Sequence, residues 1–172
     1  MASGKSTLGR ALAARLGDRP FIDLDSEVEA AEGMSVAEIF AARGESHFRR
    51  AEADALRRVA SVPGAVVACG GGTPCRPQSM DLMLESGIVV WLKADPATTL
   101  RRLLDAPPGQ RPKIEHLRAN PGQLRLEIER MEELRRPHYS RAPHVFCSDR
   151  LETQEQIDQS VSEFIRLFNI RP

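Results

Sequence analysis

Residues 4–7 read Gly-Lys-Ser-Thr, the closing half of a phosphate-binding loop, and only Met1-Ala2-Ser3 stand ahead of them. The complete motif is a glycine, four residues, then Gly-Lys-Ser/Thr, set between a strand and a helix so that backbone N–H groups cradle phosphates. Its first glycine and its lead-in strand would fall before Met1. Gly-Lys-Ser/Thr alone is a weak signal, expected by chance about once in ten chains of this length.

Two features strengthen it. Lys5, Lys93 and Lys113 are the only lysines among 24 basic residues, the rest being arginine. A compact ammonium therefore stands where one is needed to reach the β- and γ-phosphates. Leu8, Ala11, Leu12 and Leu16 then recur at helical spacing, with Gly17 as a stop. The loop would open a helix whose free N–H groups and positive dipole end face an anion. The competing reading is an ordinary surface helix capped by Ser3 or Ser6.

The chain has 172 residues, 41% hydrophobic and 28% charged, with zero formal net charge. That balance gives no footprint for nucleic acid or an anionic membrane. No apolar run approaches the ~18 residues of a membrane span. Cys69, Cys75 and Cys147 lack metal-ligand spacing, so a reduced cytoplasmic setting is expected.

Strand and helix signals alternate. Phe21–Leu24, Ala65–Cys69, Ile88–Leu92 and Val145–Cys147 read as strands. Helices are expected after Ser35 (a capping box with Glu38), over 47–60 beyond a break at Gly44, and over 78–85. Others should start at Asp95-Pro96, at Asn120-Pro121 (running to about Arg136), and at Thr153, boxed with Gln156. The stretch 106–113, with three prolines, reads as a loop. Such alternation predicts a parallel α/β sheet covered on both faces.

Active sites in these sheets lie beyond the carboxyl ends of the strands. There, Asp23 and Asp25 flank Leu24; two apart on an extended chain, both carboxylates would face one cleft. The alternative is a helix N-cap at Asp25. Gly70-Gly71-Gly72 follows a strand and suggests close approach of a ligand to the main chain, or simply a tight turn. Arg49, in Phe48-Arg49-Arg50-Ala51-Glu52, is either a bidentate carboxylate clamp or part of a charged helix face. Arg111 lies in the proline-rich loop, where a closing segment would bring an arginine to a transferring phosphoryl group. Arg135-Arg136-Pro137-His138-Tyr139 ends a helix, where positive charge is favourable in any case.

In this order, Gly4-Lys5-Ser6-Thr7, Asp23-x-Asp25, Phe48-Arg49-x-x-Glu52, Gly70–Gly72, Arg111-Pro112 and Arg135-x-Pro137-x-Tyr139 resemble the shikimate kinase family. The resemblance runs from residue 1 to about 168. It implies one P-loop kinase domain over 1–172 with a mobile lid at about 105–119, and a five-stranded parallel sheet in the order 2-3-1-4-5. It implies ATP-dependent phosphorylation of the shikimate 3-hydroxyl, with Mg2+, by a cytoplasmic monomer. Ala2, Ser3, Gly4, Lys5, Ser6 and Thr7 would hold the ATP phosphates, with Ser6 on Mg2+ and Asp23 supporting the metal. Asp25 would orient the substrate hydroxyls, Arg49 and Arg135 would grip its carboxylate, and Gly70, Gly71 and Gly72 would present backbone to the ring. Arg111 would close onto the phosphates, and Arg102 and Arg150 would flank the adenine. Kinases of other small hydroxy acids such as gluconate, and a non-catalytic relative, are the competing readings.

The resemblance also implies that the central first strand is absent. About five buried apolar side chains at roughly 1.5–3 kcal/mol each would then be forfeited. The expectation is that Met1 is an internal methionine of a longer protein.

Overall fold

The computed structural model describes residues 2–107 and 112–170. Helix α1 (Lys5–Arg15) starts at Gly4, whose backbone is left-handed (φ 79°) and whose side gives no hydrogen-bonding cap. Neither serine therefore caps it. A Cβ at Gly4 would lie 2.4 Å from Leu151 Cδ1, so the position excludes a side chain on two grounds. Strand β1 (Phe21–Asp23) leads directly into α2 (Leu24–Glu32). The strand ends one residue earlier than the apolar run suggests, because Leu24 is fully buried as the first residue of the helix. Asp23 is the N-cap, accepting from the Asp25 amide at 3.2 Å, so the cap falls on Asp23 and not on Asp25.

Helix α3 (Val36–Ala60) begins with the expected box: Ser35 and Glu38 exchange side-chain and backbone hydrogen bonds. It is interrupted at Gly44 (φ 78°), the predicted break. Strand β2 (Val66–Ala68), a 3-10 turn over Thr73–Cys75 and α4 (Pro77–Ser86) follow. Next come β3 (Val90–Lys93), α5 (Pro96–Asp105), the short α6 (Pro112–Glu115), α7 (Pro121–Tyr139), β4 (His144–Cys147) and α8 (Gln154–Leu167). Asp95, Asn120 and Thr153 cap α5, α7 and α8 through their side chains. The proline-rich loop gains α6, which the sequence reading did not anticipate, and α7 runs three residues past the expected end.

The strands form two parallel pairs. Phe21, Ile22 and Asp23 face Val66, Val67 and Ala68, while Val90 through Lys93 face His144 through Cys147. Among the described residues the pairs do not join into one sheet. A cavity of about 540 Å³ separates them. Val66–Ala68 line one wall and Val90–Lys93 the other, with Leu8, Leu12 and Leu16 of α1 along its side. Ser3, Lys5 and Gly70 lie at the strands' carboxyl end, while Gly64 and Gly87 mark the opposite end.

Three apolar clusters surround this frame. Leu8, Leu12 and Leu16 pack on Phe146, Val161 and Phe164, joining α1, β4 and α8. Leu24, Val28, Ile39, Phe48 and Leu56 join α2 to α3, and Leu103, Ile114, Leu124 and Ile128 join α5, α6 and α7. No described helix is long and apolar enough to cross a membrane.

Leu24 sits in closed packing, whereas Leu12 borders the cavity. Leu24→Ala opens a new void and is expected to cost about 4–5 kcal/mol, against about 2–3 kcal/mol for Leu12→Ala. Equilibrium urea unfolding of both variants checks this; equal or reversed losses would show the region around Leu12 to be as tightly packed as the α2–α3 cluster.

Candidate active site

The turn after β2 is where the sequence-predicted residues meet. None of Gly70, Gly71 or Gly72 has a positive φ, so backbone freedom is not what selects them. Close approach by side chains is. A Cβ on Gly70 would lie 3.0 Å from Asp25 Oδ1 and 3.2 Å from Glu52 Oε1. On Gly71 it would meet Arg135 Nη1 at 2.7 Å, and on Gly72 both η nitrogens of Arg49 at 2.5 Å. Three glycines thus admit three charged side chains from α2, α3 and α7. Asp25, Arg49 and Arg135, spread over 110 positions of the chain, converge on one short stretch of backbone.

Each is positioned by its element. The first turn of α2 carries Asp25 in a helical, not extended, conformation. Its carboxylate and that of Asp23 therefore divide: Asp25 addresses Gly70, and Asp23 Oδ2 accepts from the Ser6 hydroxyl at 2.8 Å. On α3, Arg49 Nη1 donates to Glu52 Oε2 at 2.9 Å and Nη2 to Glu45 Oε1 at 3.0 Å. Burial works against its charge, but the Glu52 and Glu45 carboxylates outweigh it and hold the guanidinium above its ordinary pKa. Glu52 is itself 1% exposed, and its other oxygen accepts from the fully buried Thr73 hydroxyl at 2.6 Å. Tyr139, about one turn beyond Arg135 on α7, donates to the Gly71 carbonyl at 2.7 Å and packs on Trp91. Burial raises its phenol pKa, and Arg135 partly offsets this.

Arg49, Arg135 and Gly72 line an open pocket of about 370 Å³ with Glu45, Ser46, Cys75 and Arg76. Two guanidinium groups in one concavity suit a carboxylate. Glu45 and Thr73 were not singled out from sequence, and Glu52 and Tyr139 entered only as motif residues with no role assigned. The i,i+4 and i,i+3 spacings from Arg49 to Glu45 and Glu52 were a readable signal; the contacts of Thr73 and Tyr139 cross 21 and 68 residues and had none.

The phosphate-loop side lies at the same end of the strands. Lys5 opens α1 and borders the large cavity together with Gly70. Ala2 (φ 44°) and Gly4 (φ 79°) both take left-handed backbone. Thr7 is exposed on α1. Arg102 donates through Nη2 to the Ser148 and Asp149 carbonyls at 3.0 and 3.2 Å, through Nε to Glu152 at 3.0 Å, and through Nη1 to the Ala2 carbonyl at 3.4 Å. It thereby ties the loop ahead of α1 to the segment after β4. Arg150 is exposed on that segment. Arg111 lies outside the described residues.

Among the described residues no three His, Cys, Asp or Glu side chains cluster as metal ligands. The Ser6 hydroxyl and Asp23 carboxylate are nonetheless a hard-oxygen pair at a helix N-terminus. That fits Mg2+, which takes one or two protein oxygens and completes its shell with water and phosphate.

Comparison with known proteins follows from this geometry. A sequence profile of the family described as shikimate kinase matches residues 1–166. The chain is 42% identical over 158 residues to the shikimate kinase of Symbiobacterium thermophilum, covering 91% of this chain and 87% of that protein. It is 38% identical over 170 residues to that of Bacteroides fragilis, covering 99% and 93%. The fold superposes on crystalline Bacteroides thetaiotaomicron shikimate kinase with a TM-score of 0.93, at 37% identity over 99% of this chain and 94% of that one. It superposes on the Acinetobacter baumannii enzyme in complex with shikimate with a TM-score of 0.79, at 27% identity over 98% and 89%.

The two cysteines around the glycine turn, Cys69 and Cys75, are half-buried. Burial, with Glu52 adding to it, pushes the Cys69 thiol up to about 12. At pH 8 that leaves a thiolate fraction of about 10⁻⁴. Cys147 is raised by its hydrogen bond to Asp149 but is exposed. A maleimide pulse at pH 8 should label Cys147 in the folded protein and leave Cys69 intact until denaturant is added. Peptide mapping by mass spectrometry checks this, and rapid labelling of Cys69 would contradict the enclosure.

Proposed function

The chain belongs to the shikimate kinase family, and from that premise we propose how its own residues share the ATP-dependent phosphorylation of shikimate. The observation that carries the assignment is the convergence of Asp25, Arg49 and Arg135 on Gly70–Gly72. Shikimate is a rigid ring acid. Its carboxylate sits against the Arg49 and Arg135 guanidinium groups, its ring lies over the glycine backbone, and its hydroxyls face Asp25. The 3-hydroxyl is the acceptor; Asp25 accepts its hydrogen bond and takes its proton as the phosphoryl group arrives.

Lys5 and the backbone of Ala2–Thr7 hold the ATP phosphates at the N-terminus of α1, where N–H groups and the helix dipole favour negative charge. Ser6 and Asp23 would hold Mg2+, which would supply neutralisation of phosphate charge. Arg111 meets the γ-phosphate when the segment at about 105–119 closes as a lid. Phosphoryl transfer demands positioning and charge neutralisation more than covalent help, and these residue types supply both. Arg102 and Arg150 flank the adenine, Arg102 through the segment it already braces. The unit is one kinase domain over 1–172, acting as a monomer in the cytoplasm. ADP release with Mg-ATP, measured with shikimate, with gluconate and with no acceptor, tests the reading. Release with shikimate alone is expected; gluconate-driven release would overturn it.

Before substrate arrives, Arg49 already has two carboxylate partners of unequal standing. Glu52 is enclosed, whereas Glu45 is more than half exposed. The substrate carboxylate therefore displaces Glu45 and leaves Glu52 in place. Arg49→Ala should raise KM for shikimate about ten- to a hundredfold with KM for ATP nearly unchanged. Glu45→Gln should lower KM for shikimate about two- to fivefold, the scale of an exposed ion pair. Steady-state kinetics with each substrate varied in turn reads both, and equal weakening of ATP and shikimate by Arg49→Ala would remove it from the acid site. Arg111→Ala should cut kcat about 10²–10³-fold; an unaltered turnover number would take it out of the transition state.

A further inference from the structure

The 3-10 turn after the glycines places Thr73 at zero exposure, with its amide donating to the Gly70 carbonyl at 3.1 Å. Its hydroxyl donates to Glu52 Oε1 at 2.6 Å. The other Glu52 oxygen accepts from Arg49 Nη1 at 2.9 Å. A buried carboxylate needs both oxygens satisfied, and an oxygen left without a donor turns toward whatever donor remains. We propose that Thr73 is a positioning residue for substrate recognition: its hydroxyl fixes the Glu52 carboxylate, and through it the aim of the Arg49 guanidinium into the pocket. The proposal rests on the reading of Arg49 as the clamp for the substrate carboxylate.

The geometry supports this coupling. Arg49 is packed so closely on Gly72 that a Cβ there would overlap it, so a small rotation of Glu52 changes where the fork points. Gly72 precedes Thr73 directly, so the turn that Arg49 rests on and the hydroxyl that holds its partner move as one piece. Burial of the hydroxyl leaves it no role in contacting solvent or the reacting atoms.

Thr73→Val keeps the branched shape and removes only the donor; Thr73→Ala removes the donor without adding bulk; Thr73→Ser keeps it. In the folded Val and Ala variants, KM for shikimate should rise about tenfold, with KM for ATP and kcat within about threefold of the parent. Thr73→Ser should restore KM for shikimate to within about threefold. Arg49→Ala is measured alongside. If it raises KM for shikimate while folded Thr73→Val or Thr73→Ala keeps the parent value, the positioning role is overturned and the clamp stands. A Thr73 variant with only a lowered Tm and both KM values unmoved also overturns it. If Arg49→Ala itself leaves KM for shikimate unchanged, the clamp reading fails first.

Discussion

The buried carboxylate of Glu52 is the constraint on which the acid site depends. A charge at 1% exposure is stable only with full hydrogen bonding and an opposite charge nearby. Arg49 supplies the charge from one turn away on α3, and Thr73 supplies the second donor from the turn after β2. Satisfying Glu52 therefore joins a helix to a strand end and fixes where the arginine lies. With the arginine fixed, Gly72 has no room for a side chain. Arg135 crowds Gly71 in the same way, and Asp25 makes a tight but less severe contact at Gly70. The triple glycine is a consequence of crowding by three charged side chains, and the backbone carbonyl of Gly71 is then pinned by Tyr139.

The cavity between the strand pairs is the second determinant. Its walls are the apolar residues of β2, β3 and α1, and its carboxyl-end rim includes Ser3, Lys5 and Gly70. The phosphate loop and the glycine turn thus share one boundary.

What the sequence made legible was local. Ser35 with Glu38, Asp95, Asn120 and Thr153 each cap a helix as expected, because the bonding partners lie two or three residues away. Gly44 broke α3 for an equally local reason, its left-handed φ. The end of β1 was misplaced because Leu24, apolar and fully buried, continues the strand pattern while already helical. That shift put Asp23 and Asp25 on different partners, Ser6 and the Gly70 turn. The resemblance carried over Asp25, Arg49, Arg135 and the glycines, and the structure brings these together. Thr73 escaped notice, and Tyr139 entered only as a motif residue without a role, because nothing in their immediate neighbourhood hints at partners 21 and 68 residues away.

The two carboxylates on Arg49 show why an acidic residue at the mouth of an acid-binding pocket is not a contradiction. An arginine with one η nitrogen unoccupied in an open pocket is free to turn toward another acceptor and leave this rotamer. Glu45 occupies that nitrogen from the solvent side, at i,i+4 spacing, so the fork stays extended along α3. Because Glu45 is exposed, it regains water when displaced and loses little. Glu52 regains nothing, since its exchange would leave a buried charge unpaired. On the proposed reading of Arg49 as a clamp, this asymmetry of burial decides which partner yields, and an incoming carboxylate would face a guanidinium that is already oriented.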